Sequence, residues 1–185
     1  MAHLEVQTKQ NASSETAEIL AAAEAKYGFI PNLLGVMAQA PIAAKAYTSL
    51  MGLMMQSSFT PTERHVVWFT INAEHNCQYC MAAHTAIAKQ ERISEDIIHS
   101  ARSGQPYQEE RLQELREFTK ALVIQRGHVS DEVTQQFLDA GFTRQNILEI
   151  VTAIAHKVLS NYTNHLANTP VDEAFSPFAW EKDAV

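Results

Sequence analysis

The feature that most constrains this chain is a pair of cysteines, the only two among its 185 residues. They lie in the segment Glu74-His75-Asn76-Cys77-Gln78-Tyr79-Cys80-Met81-Ala82-Ala83-His84. On an α-helix, residues three, four and seven positions apart lie on one face, so that a helix here aligns Cys77, Cys80 and His84. The spacing alone therefore predicts two sulfurs and one imidazole close together.

The pattern is typical of redox chemistry, because a thiolate attacks a peroxide or a disulfide and a thiol does not. Asn76 is a favoured N-cap residue, which would put both cysteines in the first helical turn. There the unpaired N–H groups and the helix dipole stabilise negative charge. Cys80 lies nearer to His84, a candidate base or proton relay, and we predict that it attacks first. Cys77 is the predicted resolving thiol, more open to a reducing partner.

Three further residues are candidates for acid–base support. Glu74 precedes Cys77 by three positions, whereas Glu63 and His65 lie on the preceding predicted helix. A continuous helix would hold Glu63 about 21 Å from Cys77, so it contributes only if the chain turns back. Each also has a structural explanation: Glu63 in a capping box with Thr60, and the other two as surface residues.

The hydrophobic spacing predicts a single all-α domain over residues 1–185 with about seven or eight helices. An extension over residues 1–25 precedes its core, and an aromatic-rich arm over residues 170–185 packs on its own domain or on a neighbouring subunit. Pro41 opens a helix with Ile42 and Leu53 on its apolar stripe, and residues 66–73 read as a buried helix.

The longest predicted helix begins at Thr143 and carries an apolar stripe expected to face the core. The stripe comprises Ile147, Val151, Ile154, Val158, Tyr162 and Leu166. Its polar residues Asn161, Asn164 and His165 are expected on a solvated face or a subunit contact.

Charge and hydropathy narrow the functional classes. Acidic residues outnumber basic ones 21 to 14, and the net charge of −7 argues against nucleic-acid binding. No apolar run is long enough to predict a membrane span, and the N-terminus does not resemble a secretory signal. Because both cysteines lie in one CxxC, we expect a cytoplasmic protein rather than one stabilised by disulfides.

The segment TPTERHVVWFTINAEHNCQYCMAAHTAIAK resembles the core of the carboxymuconolactone decarboxylase superfamily, in its alkylhydroperoxidase D-like branch, which carries CxxCxxxH. The resemblance extends from FIPNLLGVMAQAP to NYTNHLANTPVDEAF. It implies a helical homo-oligomer, a trimer or hexamer with a dimer also compatible. It further implies hydroperoxide reduction without a cofactor, with a dithiol protein or lipoyl-type carrier as reductant. In this resemblance Cys80 is peroxidatic, Cys77 resolving, and His84 the family histidine.

Two positions depart from the family pattern. His65 stands where the family has a glutamate, and Tyr79 stands where it has a histidine between the cysteines. The resemblance therefore leaves Glu63, Glu74 or His65 to take the place of the family's proton relay.

Two alternatives stay open. Cys77, Cys80 and His84, with His75 or Glu74 as a fourth ligand, would suit a structural zinc site. A decarboxylase-type enzyme of the same superfamily would keep the cysteines without using them.

Overall fold

The computed structural model describes residues 4–182, and the all-α fold is confirmed. Residues 1–3 of the predicted extension and residues 183–185 of the predicted arm lie outside the described residues. The described part holds nine α-helices and one 3₁₀ helix: α1 (Ser14–Tyr27), α2 (Asn32–Met37), α3 (Pro41–Met54), α4 (Pro61–Glu74), α5 (Gln78–Gln90), α6 (Glu95–Ser103), α7 (Glu110–Ile124), α8 (Asp131–Asp139), α9 (Arg144–Ala167) and the 3₁₀ helix (Glu173–Phe178). The short α2 and the 3₁₀ helix are additions to the predicted set.

Helices α4 and α5 form a hairpin that positions the cysteines. The predicted capping box starts α4, with Thr60 Oγ1 accepting from the backbone of Glu63 and the Glu63 carboxylate accepting from the backbone of Thr60. The prediction that Asn76 caps α5 is wrong. Asn76 adopts a left-handed conformation (φ 52°) that reverses the chain, a conformation that asparagine tolerates. Cys77 becomes the N-cap residue instead, and α5 runs back along α4.

Helix α9 buries a different part of its surface from the one predicted, although Ile147 and Ile154 of the predicted stripe do pack against the core. Val151, Tyr162 and Leu166 are exposed, whereas the buried side carries mainly polar side chains. That side comprises Asn146, Ile150, Ala153, His156, Lys157, Ser160, Asn161 and Asn164. The expectation of a solvated face is therefore wrong for Asn161 and Asn164, and only His165 is exposed. The polar side is buried because it finds partners on α4 and α5.

Helix α3 packs beside α9 and shows the same kind of difference in part, since Ile42 and Leu53 of its predicted stripe are exposed. The two helices thereby leave apolar side chains pointing outward, and these are Ile42, Leu53, Leu148, Val151, Tyr162 and Leu166.

The core on the other side of the hairpin is tightly packed and apolar. Residues 66–71 of α4 are buried, as predicted for a buried helix, and α7 packs along them. Phe137 lies between Phe118 and Phe142, with ring centroids 4.1 and 4.5 Å away. None of the helices in the described residues is long and apolar enough to cross a membrane.

The C-terminal arm docks on its own chain. Arg102 of α6 donates to the carbonyl oxygens of Phe178 and Ala179, and the Trp180 indole donates to the carbonyl oxygen of Arg102. The 3₁₀ helix then lies against α5, beside the cysteine segment.

We predict that Thr143→Ala lowers the free energy of unfolding by about 1 kcal/mol, because Thr143 and Asn146 form a reciprocal capping box at the start of α9. Denaturant unfolding followed by circular dichroism measures the effect. Thr152→Ala is the matched control: it removes the same atoms from the same helix at an exposed position. Equal losses in both variants would contradict the role of the cap.

Candidate thiol site

The two cysteines are free thiols at the start of α5, and both are buried. The side-chain amide of Asn164 lies over them and donates to Cys80 Sγ at 3.2 Å and to Cys77 Sγ at 3.8 Å. The sulfurs are therefore held together against a polar group of α9 and not in a purely apolar core.

A cavity of about 220 Å³ reaches Cys80 and has an otherwise largely apolar wall. Cys77 is not on this wall and is fully buried. The expectation that Cys77 is the more open thiol is thus wrong, because the tight turn at Asn76 draws Cys77 inward at the N-cap. The cavity is lined by Phe29, Leu33, Tyr47, Met51, Tyr79, Cys80, His84, Ile87, Lys157 and Phe175, among others.

The two thiols have opposite acidities. Burial opposes ionisation of Cys80. Hydrogen bonding from Cys77, the charge of Lys157 and hydrogen bonds from Ser160 and Asn161 outweigh burial and lower the pKa of Cys80 to about 5. The hydrogen bond to Cys80, followed by burial, raises the pKa of Cys77. At neutral pH the pair therefore holds one thiolate, on Cys80, and one thiol, on Cys77.

His84 lies on the cavity wall close to Cys80 along the helix, but its hydrogen bond goes elsewhere. Its Nε2 atom is 2.9 Å from Nζ of Lys157. Burial, and then the charge of Lys157, lower the pKa of His84 well below its ordinary value, so the imidazole is neutral. A neutral ring bonded to an ammonium accepts at Nε2, and this geometry does not direct that atom at Cys80 as a base.

Lys157 is the residue that sequence reasoning missed. It is 1% exposed although lysine is rarely buried without a partner. A usable signal was present, since Lys157 lies four positions before Asn161 and seven before Asn164, on the same face of α9. The site thus combines a polar face of α9 with the thiol turn of α5.

Among the predicted acid–base residues, His65 alone comes near the site. The α4–α5 hairpin brings its ring within 6.3 Å of the His84 ring, between centroids, and its Nε2 atom 3.2 Å from the Glu91 carboxylate. Burial lowers the pKa of His65 even though Glu91 opposes the shift.

Glu63 and Glu74 lie apart from the thiols. Glu63 combines its capping role with an ion pair to Arg111 at 3.0 Å, so it belongs to the α4–α7 packing. Glu74 is 3.9 Å from Lys120 at the end of α4. Neither carboxylate contacts a residue of the cavity wall through these bonds.

Tyr79, between the two cysteines, connects the site to the C-terminal arm. Its hydroxyl donates to Asp172 at 2.5 Å, while the Asp172 carboxylate also accepts from the backbone of Asn32. Phe175 of the 3₁₀ helix packs edge-on against Tyr79 and lines the cavity. Tyr79 therefore helps to fix the arm as one wall of the cavity.

A buried polar chain also leads from the α4–α5 turn toward the thiols. His75 Nδ1 is 2.8 Å from Asn161 Oδ1, and the Asn161 amide donates to Asn72 at 3.0 Å. In residues 4–182 no group of three or more His, Cys, Asp and Glu side chains is arranged to hold a metal ion. As arranged in those residues, the two sulfurs and His84 do not form the ligand set that the zinc alternative requires.

Comparison with known families agrees with the resemblance seen in the sequence. Residues 41–119 match the model of the carboxymuconolactone decarboxylase family, a stretch that contains α3 to α6, most of α7 and both cysteines. A search of curated proteins finds no match.

Several solved structures share the fold. A peroxidase-related protein from Ralstonia eutropha JMP134, described as an alkylhydroperoxidase AhpD core, superposes with a TM-score of 0.83 at 20% identity, covering 94% of this chain and 93% of that chain. The debrominase Bmp8, bound to 2,3,4-tribromopyrrole, gives 0.79 at 16% identity, covering 96% and 95%. A peroxidase-related protein from Silicibacter sp. TM1040 gives 0.79 at 16% identity, covering 93% and 91%.

We predict that the reduced protein contains one thiolate at neutral pH, measured by the ultraviolet absorbance of the thiolate anion. The lowered pKa of Cys80 means that this signal is present above about pH 5 and disappears as the pH falls through that value. Cys80→Ser should abolish the signal below the pH at which ordinary thiols ionise, whereas Cys77→Ser should keep it because serine can still donate to Cys80. A signal lost only in Cys77→Ser would reverse the assignment.

Proposed function

We propose that the chain is a member of the carboxymuconolactone decarboxylase superfamily and a thiol-dependent hydroperoxide reductase that cycles through a Cys77–Cys80 disulfide. The observation that carries the proposal is a pair of free thiols held together by the Asn164 amide, with Cys80 on a cavity wall and its pKa lowered. This pairing supplies both a nucleophile and a partner for the product of its attack.

The proposed reaction has two steps. The Cys80 thiolate attacks the terminal oxygen of the hydroperoxide, the O–O bond breaks, and the remaining alkoxide takes one proton and leaves as an alcohol. Cys80 is then a sulfenic acid. The Cys77 thiol condenses with it, the disulfide forms, and water leaves. The peroxide gains the two electrons that the two sulfurs lose.

The cavity favours an organic hydroperoxide with a compact apolar group. An apolar protein cavity of about 150 Å³ accepts benzene, so the present volume of about 220 Å³ holds a substituted single ring or a short branched chain. Phe29, Tyr47, Met51 and Phe175 supply apolar contacts that hydrogen peroxide cannot use. We therefore expect lower KM values for bulky hydroperoxides than for hydrogen peroxide.

A slender dithiol is the proposed reductant. Neither sulfur is open at the protein surface, and the cavity leads to Cys80. A lipoyl-type carrier can enter such a cavity more readily than the rigid surface of a dithiol protein. This expectation is tested by comparing turnover with free dihydrolipoamide and with a thioredoxin-type protein.

We also propose that the chain forms a homo-oligomer through the outward apolar residues of α3 and α9. Leu148 and Leu166 are 68% and 61% exposed. Exposed apolar side chains that lie together are typical of a contact surface. Light scattering of the purified protein measures the assembly, and a monomer at micromolar concentration would contradict it.

A second candidate is reductive dehalogenation of an aromatic compound by the same thiol pair. It is favoured by the aromatic rings of Phe29, Tyr47 and Phe175 around Cys80. In such a reaction two thiols become a disulfide, the ring exchanges halogen for hydrogen, and a halide is released. Halide release from a bromopyrrole, with no turnover of hydroperoxides, would favour this function over the first.

We predict that one equivalent of an organic hydroperoxide removes both thiols together and leaves a protein lighter by two hydrogens. Anaerobic thiol counting and intact-mass spectrometry measure the change, because a disulfide forms without added atoms. The reaction of Cys77→Ser should stop at the Cys80 sulfenic acid, which a dimedone-type probe traps. Cys80→Ser should not consume the hydroperoxide at the rate of the unmodified protein.

The matched control for these variants is Ser103→Ala, a change of similar size at an exposed residue of α6. Peroxide reduction that survives both cysteine substitutions would contradict the proposal. Decarboxylase activity that survives them would instead fit the alternative enzyme of the same superfamily.

A further inference from the structure

Lys157 is a buried cation that no carboxylate of the described residues balances. Within residues 4–182 none of the ion pairs includes Lys157, and its hydrogen-bond partner is the neutral His84. A buried charge is costly unless an opposite charge or several hydrogen bonds compensate for it. The structure therefore raises the question of which group compensates for the Lys157 ammonium.

The Cys80 thiolate is the group that can compensate for the charge of Lys157. Lys157 and Cys80 line the same cavity, and Asn161 and Asn164, on the same face of α9 as Lys157, adjoin the sulfurs. The charge of Lys157 favours the ionised form of both cysteines. One ammonium and one thiolate make the site neutral, and oxidation of the thiolate removes that balance.

We propose that Lys157 is a catalytic residue: it is the counter-ion of the Cys80 thiolate and the acid that protonates the oxygen leaving the hydroperoxide. The second role rests on the proposed function, whereas the first is independent of it. His84 is then a positioning residue whose Nε2 atom holds the ammonium in the cavity.

The proton balance closes over one cycle. In the reduced protein Lys157 is an ammonium beside the Cys80 thiolate. Attack on the O–O bond makes a sulfenic acid, and the ammonium gives its proton to the alkoxide, which leaves as an alcohol. Lys157 is then an amine, so no uncompensated charge stays buried beside the disulfide. When an external dithiol reduces the disulfide, the Cys80 thiol returns a proton to the amine.

Other titratable groups pack around the same site, and a pH titration must distinguish their protonation from that of Cys80. They are His65 on α4, Tyr47 on α3, Cys77, Tyr79 and His84 on α5, His156 on α9, and Asp172 on the arm. Burial keeps the three histidines neutral, and the Asp172 carboxylate accepts hydrogen bonds from Tyr79 and Asn32. Lys26 of α1 also lines the cavity but is exposed, so Lys157 is the buried cation that the site offers to Cys80.

The counter-ion role is tested with Lys157→Met, which keeps the shape of the side chain and removes its charge. The reduced variant and the unmodified protein are titrated by thiolate absorbance and by the pH profile of alkylation with iodoacetamide. We expect the midpoint of Cys80 to rise by at least about two pH units, toward the unperturbed value near 8.5. The pH midpoints are compared, and not the alkylation rates at a single pH, because a less acidic thiol is also a stronger nucleophile once ionised.

The acid role is tested with Lys157→Arg, which retains a cation that does not release its proton in proteins. The rate of sulfenic acid formation is measured in single turnovers above the midpoint of each variant. Both variants should be slower by about 100-fold or more, the usual contribution of a general acid, while Lys157→Arg keeps the low Cys80 midpoint.

Controls separate this proposal from a structural role and from the proposed function. Lys45→Met, at an exposed lysine paired with Glu15, should change neither midpoint nor rate. Thermal unfolding of Lys157→Met, followed below the Cys80 midpoint where no thiolate is left without its counter-ion, checks that the variant is folded. An unchanged midpoint in both Lys157→Met and Lys157→Gln would overturn the counter-ion role. A shifted midpoint in a protein that reduces no hydroperoxide would retain it and reject the proposed function.

Discussion

The site depends on the burial of a polar helix face against a tight turn. Helix α9 places Lys157, Asn161 and Asn164 in the interior, which is tolerable only because the turn of α5 presents groups that hydrogen-bond with them or balance their charge. The thiols in turn are not left in an apolar core, since the Asn164 amide donates to both. Each element thus compensates for the desolvation of the other, and neither would be stable in this form alone.

The same arrangement explains why the two sulfurs differ. They lie within one turn of one helix, yet the hydrogen bond between them lowers the pKa of Cys80 and raises that of Cys77, while the charge of Lys157 favours the ionised form of both. A single shared proton between two sulfurs allows the protein to offer a nucleophile and a condensation partner at once. The difference follows from the hydrogen bond between the two sulfurs and from the hydrogen bonds that Ser160 and Asn161 of α9 give to Cys80, because the helix N-terminus and Lys157 act on both cysteines.

The sequence predicted most of the helices, but it did not predict which side of α9 is buried. The capping box at Thr60, the helix that begins after Thr143, the buried α4 and the helix carrying CxxC are all present, because caps and local spacing are encoded within a few residues. The rotation of α9 was not predictable in this way. The apolar stripe of α9 fits the usual pattern of a core-facing helix surface. Its polar stripe is buried only because residues distant in sequence form hydrogen bonds with it. Lys157 was missed for the same reason, while Asn76 was misplaced because asparagine suits both an N-cap and a left-handed turn.

The arm that completes the cavity has a consequence for how the protein is made. Phe175 and Asp172 close the wall beside Tyr79, and they follow the cysteines by most of the second half of the chain. During synthesis the cysteine segment emerges from the ribosome well before α9 and the arm. A nascent chain therefore carries two uncovered thiols with ordinary acidity, and the reactive thiolate arises only in the final stage of folding.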